Sequence, residues 1–309
     1  MSYDLVTGAS GFIGRALFRS LIADGRAATG IARKGPGSLG DWHAQDLAQD
    51  QALPAGLMKG TDTLYHLAAL VHAGTPRGAA EKARLKRMNV DLPERLARQA
   101  AAAGVRRLVF LSSIGAQARS SGTLLDESGP CHPSDAYGAS KLAAEEALRR
   151  IAAETGLEVA ILRPPLVVGP GAPGNLARLI AWARKGRPLP AATLANRRHM
   201  VGVTNLVAAL RLAAMHPAAA GETFIVADPE PLSTGALYRL LAEAAGRPAR
   251  FLPLPAPPLA WALKSTGRAA LAEGLFGDLL VDAGKIRQRL GWQPARPLAE
   301  ELRAAVTST

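Results

Sequence analysis

Short apolar runs alternate with longer stretches of helical character through the first half of the chain. The strand-like runs lie at Asp4–Thr7, Ala28–Ala32, Thr63–Leu67, Arg107–Leu111 and Glu158–Leu162. Between them, Ile13–Ala23, Glu81–Ala103 and Ala136–Glu154 read as helices. This alternation predicts an α/β fold: a Rossmann-type, doubly wound parallel sheet with helices on both faces. Gly25, Gly104 and Gly156 fall where helix ends would hand over to the next strand.

After Arg163 the pattern changes. Proline and glycine cluster at Pro164-Pro165 and at Gly169-Pro170-Gly171-Ala172-Pro173-Gly174. Helical stretches follow at Leu176–Arg184, Asn205–Met215 and Thr234–Ala245, and a proline-rich linker over 253–258 precedes further short helices. We therefore expect a dinucleotide-binding domain over 1–165, with some later segments returning to it. A smaller, irregular, mostly helical substrate lobe is expected over 166–309.

Composition narrows the class. Of 309 residues, 48% are hydrophobic and 20% charged, which suits a globular chain. Arg, Gly or Pro interrupts the longest apolar stretches, so no membrane span is expected. The first strand-like run begins almost at the N-terminus, which leaves no room for a signal peptide. Cys131 is the single cysteine and forms no internal disulfide, so a reducing cytoplasm is the default setting. The formal charge of +12 raises nucleic acid as a partner, but the arginines are scattered and aromatics make up only 5%. A solvated basic surface that draws in anionic small molecules fits better. The histidines show no paired ligand spacing, so no metal site is expected. No G-x-S-x-G elbow points to serine hydrolase chemistry.

Two motifs carry the chemistry. In Thr7-Gly8-Ala9-Ser10-Gly11-Phe12-Ile13-Gly14, glycines at 8, 11 and 14 follow the first strand and open the first helix. Glycine lets the backbone turn sharply, and the helix N-terminus offers free N–H groups to a pyrophosphate. The second strand ends in Ile31-Ala32-Arg33-Lys34, with no acid for a ribose 2′-hydroxyl. Two cations suit a 2′-phosphate, so NADP is favoured over NAD. Asp46-Leu47 is placed either to reach the adenine or as a plain loop. The second motif is Tyr137-Gly138-Ala139-Ser140-Lys141. Residues four apart share a helix face, so an ammonium stands beside a phenol and should lower its pKa. That is what a general acid/base needs.

Together these features resemble the extended short-chain dehydrogenase/reductase superfamily, in its nucleotide-sugar epimerase/dehydratase branch. The match runs over nearly the whole chain. Gly8, Ser10, Gly11, Phe12, Ile13 and Gly14 resemble the cofactor fingerprint. Asp62–Ala69, with Leu67, Ala68 and Ala69 at its end, resembles the fourth-strand motif that passes under the cofactor. Asn89 matches the helical asparagine, and Ser113 in Leu111-Ser112-Ser113 the catalytic serine. Tyr137 and Lys141 match the catalytic pair, and Pro164 the segment beside the nicotinamide. Arg198 aligns with a phosphate-binding arginine. Asn175 aligns with a diphosphate contact, though it also suits a helix cap. Arg268 is the nearest candidate for a second phosphate-binding arginine. The likeness is nearest to the O-antigen subgroup of UDP-N-acetylhexosamine 4-epimerases and 4-keto-6-deoxy-hexosamine reductases. Asn205 and His199 depart from it.

The resemblance implies hydride transfer at C4 of a nucleotide-sugar. Tyr137 would move the proton, and Lys141 would hold the nicotinamide ribose. Ser113 would bond the reacting oxygen, and Asn89 would support them. It also implies a homodimer packed through Glu81–Ala103 and Ser140–Ala153. Two alternatives stay open: an NADPH-dependent reductase of a non-nucleotide carbonyl, and a regulator that senses NADP without catalysis.

Overall fold

The computed structural model describes residues 3–33, 35, 40–49, 52–71, 78–190, 195–252, 255–266 and 269–308. Its strands are β1 (Tyr3–Thr7), β2 (Ala27–Ala32), β3 (Asp41–Ala44), β4 (Thr61–His66), β5 (Arg107–Leu111), β6 (Glu158–Arg163), β7 (Leu166–Val168), β8 (Leu189–Pro190), β9 (Met200–Gly202), β10 (Thr223–Ile225) and β11 (Phe251–Leu252). Seven of them form one sheet in the order β10-β6-β5-β4-β1-β2-β3, with every pairing parallel. Strand order reverses between β1 and β4. In a doubly wound sheet that is where the carboxyl ends open a ligand crevice.

Both sheet faces are covered, which is why the inner strands are buried along nearly their whole length. On one face, α1 (Phe12–Ala23) and α7 (Val203–Met215) pack with β10 and the segment 279–292 around Val6, Leu17, Phe18, Val109 and Phe224. On the other, a short helix α2 (Ala55–Met58) and helices α4 (Leu92–Ala102) and α5 (Ala136–Thr155) enclose Leu5, Leu64, Leu96, Leu108 and Leu148. A further core lies beyond the sheet. There Val168, Leu176, Tyr238 and Leu302 join α6 (Asn175–Arg184), α8 (Thr234–Ala244) and α12 (Leu298–Thr307). Helices α9 (Ala256–Ser265), α10 (Ala269–Phe276) and α11 (Gly284–Leu290) complete the C-terminal half. Short parallel pairs β7–β9 and β8–β11 brace it.

Most expected elements appear within a residue or two. Gly25, Gly104 and Gly156 take φ of 70°, 73° and 76°, the left-handed conformation of a helix stop. Strands β7 to β11, each of two or three residues, were not expected, and other features differ. The long helix expected over Glu81–Ala103 is two helices, α3 (Gly78–Lys86) and α4, joined by a π turn at Arg87–Asp91. Strand β3 was not expected; its Asp-Trp-His-Ala sequence is half exposed at the sheet edge and lacks an apolar run. Of the proline-rich 253–258, Pro253 and Leu254 lie outside the described residues, and α9 already begins at Ala256, since proline is tolerated in a first turn.

Buried Arg107 ties the halves together. Its guanidinium donates to the carbonyls of Ala213 (2.8 Å) and His216 (2.7 Å) at the end of α7, while Nε donates to Glu158 (2.8 Å). No described helix is long and apolar enough to cross a membrane.

Candidate active site

The glycine loop joins β1 to α1 by close backbone approach. Gly8 has φ of 71°, and its N–H donates to Ile31 O. A Cβ there would lie 2.7 Å from Ala68 N; one at Gly14 would lie 2.1 Å from Gly8 O. Gly11 is the N-cap of α1 and supplies no side-chain cap, so the first-turn amides face the crevice unclaimed by a side chain. That arrangement fits the pyrophosphate of a dinucleotide. Ser10 is half exposed. Ile13 packs on the sheet core and Phe12 on the core beyond it, so the loop touches both.

The end of β4 lies directly beneath. Thr7 Oγ1 meets His66 Nδ1 at 2.7 Å, and Leu67 N donates to Thr7 O. Leu67, Ala68 and Ala69 are partly exposed along this edge. His66 is fully buried and stacks on Phe110, with ring centroids 5.7 Å apart. Burial, and then the charge of Lys141, push its pKa down to about 3, so it is neutral. At the end of β2, Arg33 is exposed; Lys34 lies outside the described residues, as does Arg268. Asp46 Oδ1 accepts from Ala48 N in a local turn, and the Leu47 side chain packs into the core.

The serine–tyrosine–lysine group forms across β5 and α5. Ser112 turns inward and donates to buried Glu145 at 2.5 Å. Ser113 turns outward, partly exposed, and its Oγ accepts from Gly115 N at 3.0 Å. The following turn, Ile114–Ala116, abuts α5: a Cβ on Gly138 would lie 2.1 Å from Gly115 O. This close fit brings the turn that follows Ser113 against the first turn of the helix that bears Tyr137. Pro164, buried at the end of β6, accepts from Ile114 N at 2.9 Å.

Lys141 is buried. Its Nζ donates to Leu111 O at 2.8 Å and stands 4.5 Å from the Phe110 ring and 6.0 Å from the Tyr137 ring. Burial pushes its pKa down to about 7, against a smaller upward pull from Glu145. The expected lowering of the tyrosine does not occur in this arrangement. Burial, then the charge of Asp135, push the Tyr137 phenol up to about 12. The ammonium is turned toward the Leu111 carbonyl rather than the phenol.

Asn89 sits in the π turn. Its side chain exchanges hydrogen bonds with the backbone of Leu70 (2.8 and 3.0 Å) and donates to Ser140 Oγ at 3.0 Å. It thus fixes the chain after β4 against the turn of α5 between Tyr137 and Lys141.

The more distant candidates behave differently. Asn175 is the exposed first residue of α6, and Gly174 holds the cap position, so Asn175 does not cap the helix. Arg198 is half-buried and already bonded: Nη1 donates to Glu273 O and Gly277 O (3.2 and 2.8 Å), and Nη2 to Arg119 O (3.0 Å). Buried Asn205 bonds Asp228 (2.8 Å) and both backbone groups of Arg296. His199 accepts from Val281 N. Both departures from the family pattern are structural.

Nothing in the pattern of residues singles out Arg119, Glu145 or Gln117. Glu145 also receives Arg163 at 2.6 and 2.9 Å, and Gln117 donates to Asp126 O, shaping the loop before α5. Asp135, the N-cap of α5, was signalled only by its type and place before a helix. Among the described residues no cluster of His, Cys, Asp and Glu could hold a metal.

Comparison with known proteins fits this geometry. Residues 5–227 match the family described as NAD dependent epimerase/dehydratase. The chain is 33% identical over 306 residues to a UDP-glucose 4-epimerase of Vibrio cholerae, covering 96% of this chain and 92% of that protein. It is 31% identical over 315 residues to dTDP-6-deoxy-L-talose 4-dehydrogenase (NAD(P)(+)) of Kitasatospora kifunensis, covering 98% and 94%. The solved structure of MoeE5 in complex with UDP-glucose and NAD superposes with a TM-score of 0.80 at 26% identity, covering 99% and 98%.

Proposed function

The chain belongs to the NAD-dependent epimerase/dehydratase family, and from that premise we propose that it transfers hydride at C4 of a UDP-sugar, with 4-epimerisation as the net reaction. The observation that carries the reading is the packing of the turn after Ser113 on the helix of Tyr137 and Lys141, with Lys141 Nζ on the Leu111 carbonyl, in a chain whose first helix has a glycine-lined N-terminus without a side-chain cap.

Gly8, Gly11 and the first turn of α1 would hold the cofactor pyrophosphate, and Leu67–Ala69 would line the path toward the nicotinamide. When bound, the dinucleotide supplies the hydride acceptor and donor. The residues of this chain supply the rest. Ser113 Oγ hydrogen-bonds the reacting oxygen at C4. Tyr137 Oη takes the hydroxyl proton as the ketone forms and returns one as it is reduced. A phenol near 12 is ready to donate, but it needs positive charge brought to it before it can accept. Lys141, near 7 and so close to half charged at neutral pH, is the group on hand to supply that charge. Asn89 keeps α5 in register with the strand ends.

NADP preference is a proposal supported by exposed Arg33 at the end of β2 and by the absence of an acid there. Arg198 and Asn175 are proposed for the diphosphate. Arg198 would have to exchange a carbonyl partner for phosphate, or use its remaining N–H groups. A UDP-N-acetylhexosamine is the proposed finer substrate, and residues from 166 onward outside the sheet the proposed substrate lobe. We also propose a homodimer packed through Glu81–Ala103 and Ser140–Ala153; a monomeric mass in light scattering would refute it.

The talose dehydrogenase relative favours a second reading, reduction of a 4-keto-sugar. Incubation with UDP-glucose, UDP-N-acetylglucosamine and a 4-keto-6-deoxy derivative, with and without NADPH, separates the two. Isomerisation without net cofactor use is the expected result; stoichiometric NADPH loss establishes the reductase. Tyr137→Phe should lower either rate by about 10²–10⁴-fold while dinucleotide binding persists. An active Tyr137→Phe enzyme would refute the mechanism.

A further inference from the structure

The segment between Ser113 and Tyr137 is stapled to the far end of the chain. Ser121 N donates to Asp278 O (2.9 Å), Leu280 N to Ser121 Oγ (2.9 Å), Leu125 N to Leu280 O (2.9 Å) and Asp282 N to Leu125 O (2.7 Å). Arg119 stands where this seam meets α5. Its guanidinium forms an ion pair with Asp135 Oδ2. The other oxygen of Asp135 accepts from Gly138 N at 2.6 Å and caps the helix that bears Tyr137 and Lys141. The backbone carbonyl of Arg119 accepts from Arg198 Nη2 at 3.0 Å. One residue therefore touches both the cap of the proton-transfer helix and the cation proposed for the diphosphate.

We propose that Arg119 is a positioning residue: by pairing with Asp135 and holding Arg198 through its carbonyl, it aligns the Tyr137 helix with the phosphate end of the substrate and neutralises the carboxylate nearest the phenol. This rests on the reading of Tyr137 as the proton-transfer group. The charged groups next to that phenol are Asp135 at the head of its helix and Lys141 one turn on, and Arg119 from the loop after β5 reaches it only through its pair with Asp135; Glu145 and neutral His66 lie beyond Lys141. Asp135 raises the phenol even while paired with Arg119, so removing that partner would leave the carboxylate's charge unopposed without breaking any contact to substrate. A tie that only held the fold would change stability but not the pH at which the phenol titrates.

The test compares Arg119→Gln, Asp135→Asn and the double variant, since asparagine still caps a helix but carries no charge. Two quantities are read on the NAD-loaded protein. One is the midpoint of the pH–kcat profile; the other is tyrosinate absorbance, taken as the difference from the matching Tyr137→Phe variant. Arg119→Gln should move both midpoints up by about 0.5–1 pH unit, lowering kcat at neutral pH by about three- to tenfold. Asp135→Asn should move them down, Arg119→Gln should add no shift in that background, and Arg119→Lys should restore the wild-type midpoint. An unmoved midpoint in Arg119→Gln, or the same shift with and without Asp135, overturns the proposal. The absorbance arm needs no sugar, so it stands or falls apart from the identity of the substrate.

Discussion

Gly138 gives the sharpest test of how the site is held. A Cβ at this position would lie 2.1 Å from Gly115 O, 2.9 Å from its carbonyl carbon and 3.2 Å from Asp135 Oδ1, where ordinary contact begins at 3.4 Å. Gly138→Ala therefore demands a separation of about 1.3 Å, the gap between 3.4 and 2.1 Å. The obstructing atoms are backbone, so no side chain can rotate away. Gly115 is fixed by its bond to Ser113 Oγ, and Gly138 by its bond to Asp135. The displacement must go into the spacing between the Ser113 turn and the Tyr137 helix. A misplacement of about 1 Å between reacting groups costs about 100-fold in rate. Overpacking costs about 1–3 kcal/mol, and the better helix propensity of alanine returns up to about 1 kcal/mol. The expected outcome is a kcat loss near two orders of magnitude with a loss of about 2 kcal/mol or less in urea unfolding. Gly122→Ala, in the loop that leads to α5 and with nothing within 4 Å of its Cβ, should change neither. A Gly138→Ala enzyme with kcat within threefold of wild type would refute the close fit as the element that aligns the two groups.

Gly14→Ala presses on Gly8 O at 2.1 Å in the same way, so dinucleotide affinity should fall at least tenfold in equilibrium titration, with the UDP-sugar affinity of any remaining loaded enzyme little changed. Arg107→Met strands the carbonyls of Ala213 and His216 and one side of Glu158; urea unfolding should register a loss of about 3 kcal/mol. Lys141 binds its proton less well folded, near 7, than unfolded, near 10.5. The unfolded chain therefore holds more protons between these values, and this residue makes wild-type stability rise with pH across that window. Lys141→Met should unfold at higher urea than wild type at pH 6, with the difference shrinking toward pH 10; a pH-independent difference would contradict the buried, depressed ammonium.

What could be read from the residues follows distance along the chain. Strands β1, β2, β4, β5 and β6 are short, almost wholly buried runs with apolar centres because both faces are covered, and they stand out. Strand β10 joins the same sheet with only three residues, too few to show a pattern. The π turn at Arg87–Asp91 keeps the helical texture, so the break that seats Asn89 leaves no mark. Tyr137 and Lys141 are four apart on one helix, and the glycine loop is contiguous; both were legible. The bonds of Arg198 to Gly277, of Arg119 to Asp135 and of Ser112 to Glu145 join residues that only the fold brings together. The tyrosine shows the limit of spacing alone. The ammonium was correctly placed one turn away, but its direction depends on the Leu111 carbonyl, which spacing does not reveal.

The seam between 121–125 and 278–282 also sets a schedule. Its partners are separated by just over half the chain, and Ser121 bonds Leu280 across 159 positions. Contacts this remote form late, because a long loop must close before they return any energy. During synthesis at roughly 5–20 residues per second, Leu280 follows Ser121 by about 8–30 seconds. In that interval the glycine loop and the inner strands can already fold as a unit, while the chain between Ser113 and Tyr137 has nothing to lie against. The nascent chain thus has its glycine loop between β1 and α1 well before residues 278–282 arrive to hold the segment between Ser113 and Tyr137.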